Sequence, residues 1–196
     1  MPPQGHRMPN YLRPRISGVP VFFTVALAQR GGDVLVREIV ALREAVAVTR
    51  AKRPFGIAAW VVMPDHLHAV WTLPEGDADY STRWGAIKAR FTRSLRRVGF
   101  DPTVPASAVG WNPTLRSASK VAKGDAGLWQ RRFWEHHIRD EADFAAHVRY
   151  CWGNPVKHGF VEKAVDWPYS SIHRDIRLGR VEAEWVGGIE NGEFGE

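Results

Sequence analysis

The sequence predicts an α+β domain of the split βαβ, ferredoxin-like kind: an antiparallel sheet with helices on one face, followed by an extra C-terminal helix. Two observations predict it. The apolar residues switch between strand-like runs and helical stripes in the order strand, helix, strand, strand, helix, strand, helix. The chain has 196 residues, 44% of them apolar and 24% charged, which suffices for one domain with a real core and is short for two.

Residues 1–18 read as a basic, proline-rich arm, 19–180 as the domain, and 181–196 as an acidic, glycine-rich tail. The run VPVFFTVALA at 19–28 is rich in β-branched and aromatic residues and predicts the first strand. Gly31, Gly32 and Asp33 make a turn and a helix start. Leu35, Ile39, Leu42 and Val46 then recur at helical spacing as far as Lys52, and Pro54 stops the helix. FGIAAWVVM at 55–63 is a second strand, Pro64-Asp65 a tight turn, and HLHAVWTL at 66–73 a third strand with large residues on both faces. After a loop at 74–79, a helix is predicted over 82–98, with Trp84, Ile87, Phe91, Leu95 and Val98 as its apolar stripe. Residues 101–127, rich in Pro, Gly, Ser and Ala, read as a long, mobile insertion. A fourth strand is expected over 132–139. Asp140 then caps a third helix with Asp143 in its first turn; Phe144, Val148 and Cys151 face inward, and Pro155 and Gly159 end it.

Composition excludes several classes. No apolar run approaches the roughly 20 residues of a membrane span, and the polar N-terminus lacks a signal-peptide stretch, so the cytoplasm is the expected location. Cys151 is the only cysteine, which rules out an internal disulfide, a CxxC zinc site and an iron–sulfur cluster made by this chain alone; it reads as a half-buried packing residue. Neither GxxxxGK[ST] nor GxGxxG occurs, so nothing points to a nucleotide cofactor. The net charge of +6 and the pI near 9.8 favour a nucleic-acid partner.

Residues two apart on a strand share a face, so His66 and His68 can chelate one divalent ion while Leu67 points the other way. Tyr150 and Asn154 are four apart on the third helix and neighbour each other, with Tyr150 off the core stripe set by Phe144. Pro155 disfavours helical geometry at Asn154 and loosens that pairing. Two imidazoles and an amide oxygen leave a divalent ion with open positions for a phosphate oxygen. Tyrosine, with an ordinary pKa near 10, is a weak nucleophile until a base or a nearby positive charge helps it. Each of these residues also has an ordinary structural reading as a strand-end histidine, a half-buried tyrosine or a helix-end asparagine.

The second helix carries Arg83, Lys88, Arg90, Arg93, Arg96 and Arg97, with no acidic residue between Ser81 and Phe100. Arg90, Arg93 and Arg97 share one face, a stripe suited to phosphates. Trp129, Arg131, Arg132 and Trp134 interleave indoles with guanidinium groups, as in patches that stack unpaired bases; Trp134 is equally well read as structural. His136, His137, His147 and His158 form no recognisable metal motif; His147, one turn before Tyr150, could assist it.

Taken together, VVMPDHLHAVWTLPEGDADYSTRW, GLWQRRFWEHHIRDEADFAAHVRY, NPVKHGFV and DWPYSSIHR resemble the REP-associated tyrosine transposases, over roughly 10–179. The resemblance implies an HUH-type fold, His66, His68 and Asn154 as metal ligands, Tyr150 as nucleophile, Mg²⁺ or Mn²⁺ as cofactor, and single-stranded or hairpin DNA from repetitive extragenic palindromes as partner. Lys157, inside NPVKHGFV, joins Arg83, Lys88, Arg90, Arg93, Arg97, Trp129, Arg131 and Arg132 in the expected DNA-binding set. The activity so implied is that of a single-strand endonuclease and strand transferase with a 5′-phosphotyrosine intermediate, in a nucleoid-associated protein of the cytoplasm. The chain departs from its relatives at Cys151-Trp152-Gly153, where a helical glycine costs about 1 kcal/mol. Two alternatives stay open from the residues: a domesticated module that only binds structured DNA or RNA, and a phosphodiesterase in which water attacks. Homodimer and monomer are equally compatible with the sequence.

Overall fold

The structure, a computed structural model, describes residues 16–97 and 127–186. Most of the expected N-terminal arm, insertion and acidic tail lies outside the described residues. Four strands, β1 (Val21–Ala26), β2 (Gly56–Val62), β3 (His66–Thr72) and β4 (Trp134–His137), form one sheet in the order β2-β3-β1-β4. Every pairing is antiparallel. β1 and β2 therefore run parallel with β3 between them, which is the split βαβ arrangement that the element order predicts.

Helices cover both faces. α1 (Val34–Arg37), α2 (Ile39–Lys52) and α3 (Tyr80–Arg97) lie on one face, where Leu42, Ala45, Trp84, Ile87, Phe91 and Leu95 pack on Val21, Phe23, Leu67, Ala69 and Trp71. α4 (Glu141–Lys157) and α5 (Ile172–Arg177) lie on the other, where Val148, Tyr150, Cys151 and Ile172 pack on Phe22, Ala59, Val61 and Val70. Two-sided cover explains why β1 is buried at all six positions and reads as a continuous apolar run.

Three local expectations change. The first predicted helix is two, broken at Glu38 (φ −102°, ψ 32°). Its opening turn is bonded to the β2–β3 turn, with Leu35 N donating to Pro64 O at 3.1 Å. The helix containing Tyr150 continues through Pro155 to Lys157. Proline removes a single intrahelical donor there, one turn before Gly159 takes the left-handed φ of +69° that ends the helix. Asp140 caps this helix as expected, accepting from Asp143 N at 2.8 Å. Tyr150 is not off the core: α4 is buried almost all round from His147 to Pro155, because the 164–185 segment covers its outer side. Cys151 is fully buried, and burial pushes its thiol well above the ordinary range, so it is an inert packing group.

Arg83, expected among the DNA contacts, is held inside the scaffold. Its guanidinium pairs with Asp77 at 2.6 Å and donates to the carbonyls of Asp79 and Pro54 at 2.8 and 2.9 Å, with the residue 3% exposed. It ties the start of α3 to the end of α2, where a cation must be fully paired to be buried.

Candidate active site

The first turn of β3 and the second half of α4 meet on one face of the sheet. Register places His68 opposite Thr24 and His66 opposite Ala26. Thr24 Oγ1 lies 2.9 Å from His68 Nδ1, which fixes that ring by its far nitrogen. His66 Nδ1 lies 2.7 Å from Asp65 Oδ1. Burial pushes the Asp65 carboxyl up, but the His66 bond, the Gly31 N–H and the Arg30 charge outweigh it and bring the pKa down from 3.8 to about 2. Asp65 is therefore ionised and can only accept, so the bond between the two uses the His66 Nδ1–H as donor and leaves Nε2 facing the other way. That Nε2 is buried and makes no hydrogen bond among the described residues. The 3.4 Å approach of Arg30 Nη2 to the same Nδ1 sets donor against donor, so the real partner of Arg30 is Asp65 Oδ2, 3.0 Å from its Nε.

Asp65 also links stability to pH. It is more acidic folded than unfolded, so its contribution is fully present above about pH 4 and is lost as the pH falls through 2, on the order of 2 kcal/mol in all. Urea unfolding at pH 5 and pH 2.5 should show the larger part of this loss in the wild type and a flatter profile in Asp65→Asn. Equal losses in the two proteins would remove Asp65 from the account.

The imidazoles of His66 and His68 are 5.0 Å apart between centroids, and the Tyr150 ring lies 5.2 Å from His68. Asn154, one turn on from Tyr150, is fully buried on the same helix, and His158 is edge-on to His66 at 5.3 Å. Lys157 Nζ donates to Tyr150 Oη at 3.2 Å and sits 5.0 Å over its ring. Lys157 is thus a partner of the tyrosine, which the sequence reading, placing it with the DNA contacts, did not see. The four candidates His66, His68, Tyr150 and Asn154 come together in one buried layer. Two nitrogens and an amide oxygen fit a divalent cation, and His66 Nε2 is buried without a hydrogen-bond partner among the described residues.

Thr24, Asp65 and Arg30 have no role in the sequence reading, and His158 is weighed there without being placed beside His66. Asp65 and Lys157 could have been found, the first by adjacency to His66, the second by lying two turns after Tyr150. Thr24 needs the strand register.

On the same face, His136, Asp143 and His147 form the one group of His, Cys, Asp and Glu side chains that could hold a metal among the described residues, with donor atoms within 4.8 Å of one another. Burial pushes the Asp143 carboxyl up, but bonds from His136 and from Arg139 hold it well below the usual range. Burial also lowers His147.

The basic residues divide. Arg90, Arg93 and Arg97 line one cleft of about 210 Å³ between α2 and α3, with Glu44 at its side. Arg93 also lines a second cleft of about 500 Å³, with Lys88, Arg96, Trp129 and Arg131. Lys88 is partly occupied, donating to Gln130 O at 3.0 Å and lying over the Trp129 and Phe133 rings. Trp129 is only 9% exposed and packs on Phe91 at 5.6 Å, so it supports the cleft wall and is no open stacking platform. Arg131 and Arg132 are exposed. The α3 stripe and Tyr150 lie on opposite faces of the sheet. No helix among the described residues is long and apolar enough to cross a membrane.

No family model matches the chain. It is 40% identical to the REP-associated tyrosine transposase of Escherichia coli K12 over 189 residues, 96% of this chain and 98% of that one. A protein of Haemophilus influenzae named for the same family is 39% identical over 180 residues, 92% of this chain and 94% of that one. A solved structure of a REP-associated tyrosine transposase bound to a REP hairpin superposes with a TM-score of 0.78 at 39% identity, covering 96% of this chain and 98% of the other.

Proposed function

This chain belongs to the REP-associated tyrosine transposases, and from that membership we propose that it cuts and rejoins single-stranded DNA beside palindromic hairpins, with Tyr150 as nucleophile and Mg²⁺ or Mn²⁺ held by His66, His68 and Asn154. Membership gives the DNA-processing kind of enzyme. The chemistry rests on one observation: the tyrosine beside the two strand histidines has its hydroxyl on a lysine.

In the cutting step, Tyr150 Oη forms a bond to phosphorus as the bond from phosphorus to the 3′-oxygen breaks. The phenolic proton passes to solvent, and the departing 3′-oxygen takes one up as a hydroxyl. The 5′-phosphate stays on Tyr150, and the reverse reaction rejoins a strand. One phosphate ester replaces another, so no nucleotide hydrolysis is needed. A bound divalent ion would polarise the phosphate and offset its added negative charge. Lys157 holds the tyrosine oxygen and brings positive charge to it. Thr24 and Asp65 hold the two imidazoles in orientation from behind.

The opposite placement of the arginine stripe implies a path for the DNA. Residues 127–132 run past the sheet end where His66 sits: Leu27 bridges Trp129, and Gln130 N donates to Ala26 O, the residue paired with His66. Arg131 and Arg132 in this segment are exposed, and Arg131 lines the α3-side cleft. We place hairpin phosphates on Arg90, Arg93, Arg96 and Arg97, and the strand to be cut round this end to Tyr150. In the cell this is a cytoplasmic, nucleoid-bound protein.

A suicide-substrate gel tests the reading. Protein is incubated with a hairpin oligonucleotide from its own genome's repeats, labelled 3′ of the cut, with Mn²⁺ or EDTA. An SDS-resistant, protease-sensitive, metal-dependent band is expected. Labelled product without that band would make water the nucleophile, and binding without either product would leave a binding module.

A further inference from the structure

The histidine–aspartate group on β4 and α4 is used by neither the proposed centre nor the DNA path. His136 ends near β4's edge, Asp143 stands in the first turn of α4, and His147 one turn further. Two imidazoles and one carboxylate are a donor set that Zn²⁺, Mn²⁺ and Fe²⁺ accept. His136 Nε2 is 2.8 Å from Asp143 Oδ2. His147 Nδ1 is 3.0 Å from Asp143 Oδ1 and 2.8 Å from the Asp143 carbonyl oxygen. Both oxygens lie within reach of the one nitrogen, so a single N–H there would be shared between them, and the carboxylate is held against both rings. The two rings stack 4.6 Å apart at 14°, presenting nitrogens to the same carboxylate. Arg139 adds positive charge at Oδ2, 3.1 Å from its Nε, but its side chain is 75% exposed and readily turns to water.

We propose that His136, Asp143 and His147 form a second divalent-metal site, of the Zn²⁺ class, that clamps edge strand β4 to the start of the helix carrying Tyr150. Among the described residues β4 pairs only with β1, over four positions, so a bond from it to α4 fixes a short edge and the helix together. Phe22 separates the site from the proposed centre: its ring is 4.7 Å from His147 and 5.6 Å from His68. No ligand is shared, so this site stands or falls apart from the catalytic reading.

The test is metal stoichiometry on the full chain. Metal-stripped protein would be titrated with Co²⁺ by equilibrium dialysis, in wild type, His136→Ala/His147→Ala and His66→Ala/His68→Ala. Two equivalents in the wild type and one in each double variant are expected. A single equivalent kept by His66→Ala/His68→Ala and lost by the other variant also supports this site, and removes the metal from the proposed centre. A single equivalent kept by His136→Ala/His147→Ala and lost by the other overturns this site and leaves the proposed function standing. No binding at all overturns it as well. Should the first double variant fail to fold, His66→Ala/His68→Ala decides alone: saturating Zn²⁺ is expected to raise its melting temperature by about 5–10 °C. An unchanged value overturns the proposal.

Discussion

Tyr150→Phe is expected to lower formation of the covalent protein–DNA adduct by more than about 1,000-fold while leaving hairpin affinity within about twofold. The substitution removes one atom, and that atom is the one that would bond to phosphorus. Folding should tolerate the change, since the ring keeps its packing on Phe22 and His68 at 5.9 and 5.2 Å. What is lost is the Lys157 bond, worth on the order of 2 kcal/mol because its donor is charged. Affinity should survive because the arginines on which we place the hairpin, half-buried Arg90 and exposed Arg93, Arg96 and Arg97, lie on the other face of the sheet. Adduct yield in Mn²⁺ and a filter-binding curve on the same hairpin measure the two quantities separately. If the Phe variant keeps its adduct, another residue is the nucleophile. If it still nicks the strand and releases free 5′ ends, water attacks and Tyr150 is structural.

The element order was legible because it is written in local patterns: β-branched runs for strands, an i, i+3, i+4 stripe for α3, and Asp140 as a cap. The pairing of two strand histidines was legible for the same reason, since alternation along β3 is a local property. What failed depended on partners distant in sequence. Arg83 looked like one more cation of a basic helix; Asp77 and Asp79 are near it in the chain, but only the fold brings the distant Pro54 carbonyl to the same guanidinium and buries it. Trp129 looked like an aromatic among arginines, and only its bridge to Leu27 turns it inward. The stripe of α4 alone puts Tyr150 off the core, and no local pattern says that the 164–185 segment covers the outer side of that helix. The separation of the arginine stripe from the tyrosine by the sheet was likewise invisible, because no local pattern says which face a helix will cover.

Lys157 gives the second large expectation. Lys157→Met should slow adduct formation by about 10–100-fold with little change in hairpin affinity, because a charge-assisted hydrogen bond contributes about 1.5–3 kcal/mol where charge develops. The 3.2 Å contact is to the oxygen that attacks and, in rejoining, to the oxygen that leaves as a phenolate, so both directions should slow together. Methionine keeps much of the apolar stem over the ring, which separates loss of charge from loss of packing. Lys157→Arg keeps the charge on a differently shaped head and should recover part of the rate. A lysine that merely contacts phosphate would behave otherwise: affinity would fall, the salt dependence of binding would lose about one unit of slope, and the rate at saturating DNA would hold. Single-turnover rates at saturation, set beside binding isotherms at several salt concentrations, distinguish the two roles within one pair of experiments. A loss confined to affinity would return Lys157 to the DNA-binding set and leave Tyr150 to be activated by another group on the same face of the sheet.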